Sequence, residues 1–197
     1  MTEHNPLFEM RRLEMLSNTI FGVAMTLLAY DLPRASQFTD VPHWDELMPA
    51  FRTRLIALML SFIIAGLFWF SHHRRLMVAP HGTRGVVVLN LLFLMSIVIL
   101  PASNGLYGAY GSSSAVATIY GLHLAVIATL NAGLWLIALH GRPRAEFLAA
   151  AAPVAVFLAG TATALVSPEA ARFVWCLAFG APFVRNLARR REQSKVQ

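Results

Sequence analysis

Long apolar runs alternate along this chain with short polar interruptions. Apolar residues dominate from about Met10 to Leu32, from Leu55 to Ser71, from just after Arg84 to Pro101, from Ala115 to Leu139, from Phe147 to Val166, and from about Ala170 to Leu187. The first five approach or exceed the length that one helical crossing of a bilayer needs, roughly 17–25 residues. The sixth is the weakest, because Arg172 and Arg185 bracket only twelve residues, but arginines near a helix end can snorkel to the interface. The interruptions are turn signals: the Pro33–Arg54 loop, the cluster His72-His73-Arg74-Arg75, a Gly/Ser/Asn-rich break from Ser103 to Ser114, Arg142-Pro143-Arg144, and Ser167-Pro168-Glu169. The pattern predicts an all-α, polytopic membrane protein with six transmembrane helices in one domain, residues 1–197, ending in a basic tail over 188–197.

Charge sharpens that reading. Only 13% of residues are charged, and the 57 residues from Gly85 to Gly141 contain no Asp, Glu, Lys or Arg. A water-soluble surface cannot be built from such a stretch. The net charge of +6 could point to nucleic acid, but the basic residues flank apolar spans. Twelve of them (Arg11, Arg12, Arg74, Arg75, Arg84, Arg142, Arg144 and five in the tail from Arg185 on) fall on one side of a six-span topology, and four (Arg34, Arg52, Arg54, Arg172) on the other. Basic loops stay cytoplasmic, so both termini are expected inside, in the cell membrane. The tail reads as an anchor to membrane lipids, and no nucleic-acid partner is expected. Met1 to Glu9 has none of the marks of a cleaved signal peptide. The single cysteine, Cys176, allows neither an internal disulfide nor a cysteine metal site.

The first span is unusually polar, with Ser17, Asn18, Thr19 and Thr26. Steps of three and four put Leu16, Thr19, Val23, Thr26 and Tyr30 on one stripe, with Leu27 beside it and Asp31 at its outer end, where its carboxylate is expected to raise the local cation concentration. Two readings are open. The stripe can line a water-filled pore, its hydroxyls and narrow aliphatic rings controlling ion passage. Alternatively, the threonines bond back to carbonyls of their own helix.

More specific is the order of short motifs. Arg12-Leu-Glu-Met-Leu16-Ser17-Asn18, then Phe21-Gly-Val-Ala-Met-Thr26-Leu27-Leu28, then Phe68-Trp69-Phe70-Ser71-His72-His73-Arg74, then Asn90-Leu-Leu-Phe-Leu94 with Pro101 resembles the lysosomal potassium channel family and its bacterial relatives. The recognisable matches run from about Arg11 to Pro101. The resemblance implies a six-helix protomer assembling with itself as a homotetramer, first helices lining a central pore permeated by potassium ions. It implies selectivity from a hydrophobic ring and a threonine one turn on, at the positions of Val23 and Thr26, with Tyr30 at the next constriction. It also implies a polar network of Arg12, Ser17, Asn18, Trp69, His72, His73 and Asn90 at the cytoplasmic ends of the helices. Two departures stand out: Asn18 replaces the family's carboxylate, and Tyr30 replaces an aliphatic residue.

Other signals are weaker. Gly105 to Gly111 superficially resembles a carbonyl potassium filter but has the wrong order, and reads as a turn. His72 and His73 lie at a membrane edge while His123 lies inside the fourth span, so no cofactor site is expected. No grouped acid, base or nucleophile marks an enzyme. The rivals to a passive channel are a small proton- or cation-coupled transporter using Asp31, Glu14 and the histidines, and a non-conducting membrane scaffold.

Overall fold

A computed structural model describes residues 10–76, 83–138 and 144–180. Over these residues it is all-helical: α1 (Met10–Leu27), α2 (Trp44–Leu76), α3 (Arg84–Tyr110), α4 (Ser114–Ala138), α5 (Arg144–Val166) and α6 (Pro168–Cys176), with short 3-10 turns at Leu28–Asp31, Ala35–Gln37 and Leu177–Gly180. Among the described residues five helical stretches are long and apolar enough to cross a membrane. The chain is a multi-pass membrane protein. The described part of the sixth helix is only a few turns long, and the rest of its expected span, 181–187, lies outside the described residues, as do the two termini and Arg142.

Two boundaries differ from the sequence reading. The third helix does not stop at Pro101 but runs on to Tyr110, so the expected break over Ser103–Ser114 shrinks to Gly111–Ser113. A proline inside a membrane helix is tolerated when the loosened backbone finds other partners. Pro101 frees the Ile97 carbonyl; around it α4 is tied to α3 by His123, whose Nε2 donates to the Ser96 carbonyl at 3.0 Å and whose Nδ1 lies 2.7 Å from Ser103 Oγ. The Gly105–Gly111 segment is therefore mostly helix rather than turn, and it forms no filter. The second helix likewise starts at Trp44, eleven residues before its apolar run, and carries Pro49 near its start. At 33 residues it is ~50 Å long, more than the ~30 Å hydrocarbon core, so its polar first turns extend beyond the membrane.

Lipid is as apolar as leucine, so packing between these helices rests on close contact and internal hydrogen bonds. One centre is built around Trp175, fully buried between α4 and α5 at Gly121 and Gly160. A Cβ at Gly121 would come within 2.9 Å of Trp175 Cζ2, and one at Gly160 would collide with the indole edge. Tyr107 and Tyr120 stack with centroids 4.5 Å apart, and Trp175 meets both rings edge-on at 5.6 and 5.3 Å. Ser61 Oγ donates to Asn104 Oδ1 at 2.6 Å, which commits its only proton, so the Tyr120 hydroxyl donates to Ser61.

Candidate functional site: the first helix and its anchors

A single stripe ties α1 to the protomer: Leu13, Ser17, Phe21, Ala24 and Leu28, all buried. Behind it runs a buried chain of hydrogen bonds, strong between α2 and α3 and weak where it reaches α1. His72 Nε2 donates to Asn90 Oδ1 at 2.6 Å, Asn90 Nδ2 reaches Ser17 Oγ at 3.5 Å, and Ser17 Oγ donates to the Leu13 carbonyl at 2.7 Å. All the donors in this chain point the same way. The His72 ring lies flat on Phe93, centroids 5.0 Å apart, with Phe21 tilted against it at 6.0 Å. A buried amide or imidazole without partners costs several kcal/mol in hydrocarbon, so this arrangement locks α2 to α3 and fixes the wall against which the buried stripe of α1 packs.

A second, outer cluster lies at the same end. Trp69 Nε1 donates to Asn18 Oδ1 at 2.9 Å, and the Trp69 ring stacks on His73 at 5.7 Å. His73 Nδ1 is 3.1 Å from Glu14 Oε1, close enough for an ion pair though not aligned as a hydrogen bond. The single network expected from sequence is thus two, one buried and one facing outward. Adjacent histidines on a helix point about 100° apart, which sends His72 inward and leaves His73 at the rim. Arg12 is exposed at the start of α1.

The candidate stripe lies about 140° round the helix from the buried one, by the 100° turn per residue. Within the protomer Leu16, Thr19, Val23, Thr26, Leu27 and Tyr30 are all exposed, Val23 by 54% and Tyr30 by 64%. Thr19 Oγ1 donates to the Met15 carbonyl at 2.9 Å and Thr26 Oγ1 to the Val23 carbonyl at 2.7 Å. The back-bonding reading holds, and it leaves the pore reading open. With each hydroxyl proton turned to the backbone, the oxygen lone pairs are free to face a cation or its water.

At the far end the chain tightens into the 3-10 turn containing Tyr30 and Asp31. Arg54 Nη1 donates to the Asp31 carbonyl at 3.2 Å and to Gln37 Oε1 at 3.3 Å, pinning this end to α2. The Asp31 carboxyl is half-buried and folds against Gly105 of α3, where a Cβ would collide with it. The charge beside Tyr30 is instead the Arg34 guanidinium, 3.5 Å above the ring centroid, with Nη2 on the Tyr30 carbonyl at 2.8 Å. Sequence reading missed Arg34 here. Its signal was a four-residue spacing after an aromatic, which the intervening proline obscured.

Residues 12–101 match the family model of the endosomal/lysosomal potassium channel TMEM175. The match covers somewhat less than half of the chain. A potassium channel of Streptomyces collinus is 29% identical over 135 residues, covering 64% of this chain. The chain spans 63% of that relative's length in the match. A crystal structure of a lysosomal potassium-selective channel TMEM175 homolog from Chamaesiphon minutus superposes with a TM-score of 0.77 at 21% identity, over 90% of this chain and 98% of that one. The shared fold therefore extends through α4, α5 and α6, well beyond the matched sequence motifs. TMEM175 is a channel family, not an enzyme family.

Proposed function

We propose that the chain is a passive, potassium-permeable channel of the cell membrane, with both termini cytoplasmic, assembled as a homotetramer around four copies of α1. The observation that carries this reading is a mismatch. Of the five spanning helices α1 is the least apolar, yet only 28% of its spanning window is buried within the protomer. A helix with this many polar groups gains little from lipid, so its open face is suited to water and to other copies of itself. The TMEM175 match and the names of the relatives, channels for potassium, support the same reading.

In the tetramer Val23 forms an apolar ring. It offers no atom to replace a cation's water, so it discriminates by size and by the cost of dehydration. Potassium holds its water less tightly than sodium and is penalised less. The Thr26 hydroxyl oxygens, one turn on, accept the partly stripped ion, and Thr19 and Leu27 flank the path. Tyr30 narrows the mouth, where the nearby Arg34 charge lowers the local cation concentration. The permeant potassium ion is the only ligand this mechanism requires. Liposomes containing only this protein test the proposal: under opposing potassium and sodium gradients they should develop a potassium-directed potential, and cross-linking in mild detergent should stop at four copies. A stable monomer with no flux would overturn it.

A further inference from the structure

An open recess of about 750 Å³, counting its mouth, lies between α2, α4 and α5, on the far side of α2 from its contacts with α1. Its deep wall is apolar, formed by Ile64, Phe68, Phe157 and Ala178. Its other end is polar. There Asn131 Nδ2 and Trp135 Nε1 both donate to Ser71 Oγ, at 3.2 and 3.1 Å, and Arg74 stands at the rim with its guanidinium 5.7 Å from the Phe70 ring centroid. Along α2 the lining runs from Ile64 to Arg74, a rise of ~15 Å, which is half of a ~30 Å hydrocarbon core and so the depth of one leaflet. Pro153 lines the wall of α5 and has no N–H for the Ala149 carbonyl, which lines it too.

Charge, depth and polarity agree. Among the described residues no carboxylate lies within ion-pair distance of Arg74. An arginine at the membrane edge seeks an anionic oxygen, and an apolar slot one leaflet deep beneath it suits a hydrocarbon chain. We propose that this recess holds one acyl chain of an anionic phospholipid, with the headgroup phosphate paired to Arg74. The Ser71–Asn131–Trp135 cluster, in which the amide and the indole both donate to the hydroxyl, forms a collar at glycerol depth. The site sits away from the α1 stripe and does not depend on the channel reading.

The test uses the full-length protein in vesicles containing equal amounts of phosphatidylglycerol and phosphatidylcholine, each with a photoreactive group at the chain end. Phosphatidylglycerol should label peptides containing Ile64, Phe68 or Phe157 about fivefold more than phosphatidylcholine, as one added charge contact near the surface would give. Arg74→Gln should bring the ratio to about one without changing which peptides are labelled. Ala149→Phe, which fills the mouth, should abolish labelling by both lipids. A protein that labels equally with both lipids, or an Arg74→Gln variant that keeps the preference, overturns the headgroup assignment. Labelling that survives Ala149→Phe in a protein of unchanged assembly overturns the site.

Discussion

Substitution of Asn90 by leucine probes the anchoring of α1 most sharply. Asn90 is fully buried and joins α3 to His72 on α2 and Ser17 on α1. Hydrogen bonds between membrane helices average ~0.6 kcal/mol and reach ~1.7. The 2.6 Å bond from His72 belongs at the upper end, and the 3.5 Å contact to Ser17 contributes almost nothing. Leucine keeps the volume, so little cavity term is added, but it strands the His72 Nε2 donor, which costs ~1–3 kcal/mol. The expected loss is therefore about 2 kcal/mol. The double variant His72→Leu/Asn90→Leu has no stranded donor, and a double-mutant cycle should return a coupling of about 1–2 kcal/mol. Unfolding of the purified protein in micelles by graded denaturant, followed by tryptophan fluorescence, measures all three stabilities. Strict additivity of the two single changes would refute the buried His72–Asn90 bond and, with it, the locked α2–α3 wall against which α1 packs.

Gly160→Val should destabilise by about 1–3 kcal/mol or more, because the Trp175 indole edge it meets is fully buried and cannot yield, whereas Gly66→Ala, with open space around its Cβ, should be neutral or gain up to ~1 kcal/mol; thermal unfolding in the same micelles compares them. Arg34→Gln removes the cation over Tyr30 and should raise potassium influx into liposomes at low salt, with the difference from the parent fading in high salt as charges are screened. Cysteine labelling in intact cells should reach a site beside Arg34 from outside and one near Lys195 only after permeabilisation; the reverse pattern would invert the topology.

The fold was readable because lipid imposes a simple rule: apolar runs of sufficient length become helices. Where that rule was silent the reading fell short. Pro101 reads as a stop because the sequence does not show that His123, twenty-two residues on, ties α4 to α3 on both sides of the proline, at Ser96 and Ser103. The amphipathic start of α2 from Trp44 was missed because its residues answer to water, not to lipid. At the candidate site the stripe of α1 was legible from its three-and-four spacing, and so were six of the polar anchors, Ser17, Asn18, Trp69, His72, His73 and Asn90. Their division into His72–Asn90–Ser17 and His73–Glu14–Trp69–Asn18 was not, because it depends on which of two adjacent histidines faces inward. The position of Asp31 was also beyond reach, since only a glycine on another helix, Gly105, makes room for its carboxyl.

The central claim is that the exposed stripe of α1 lines a potassium path, and one experiment bears on it directly. Potassium and sodium flux should be measured side by side in liposomes holding equal amounts of parent, Val23→Asn and Thr26→Val protein, with assembly checked by cross-linking. Asparagine supplies polar atoms to the apolar ring, so Val23→Asn should raise total flux and erode the preference for potassium. Valine removes the lone pairs that meet the ion, so Thr26→Val should lower selectivity with the tetramer intact. If both variants conduct as the parent does, with the same potassium-to-sodium ratio, the path does not run along α1.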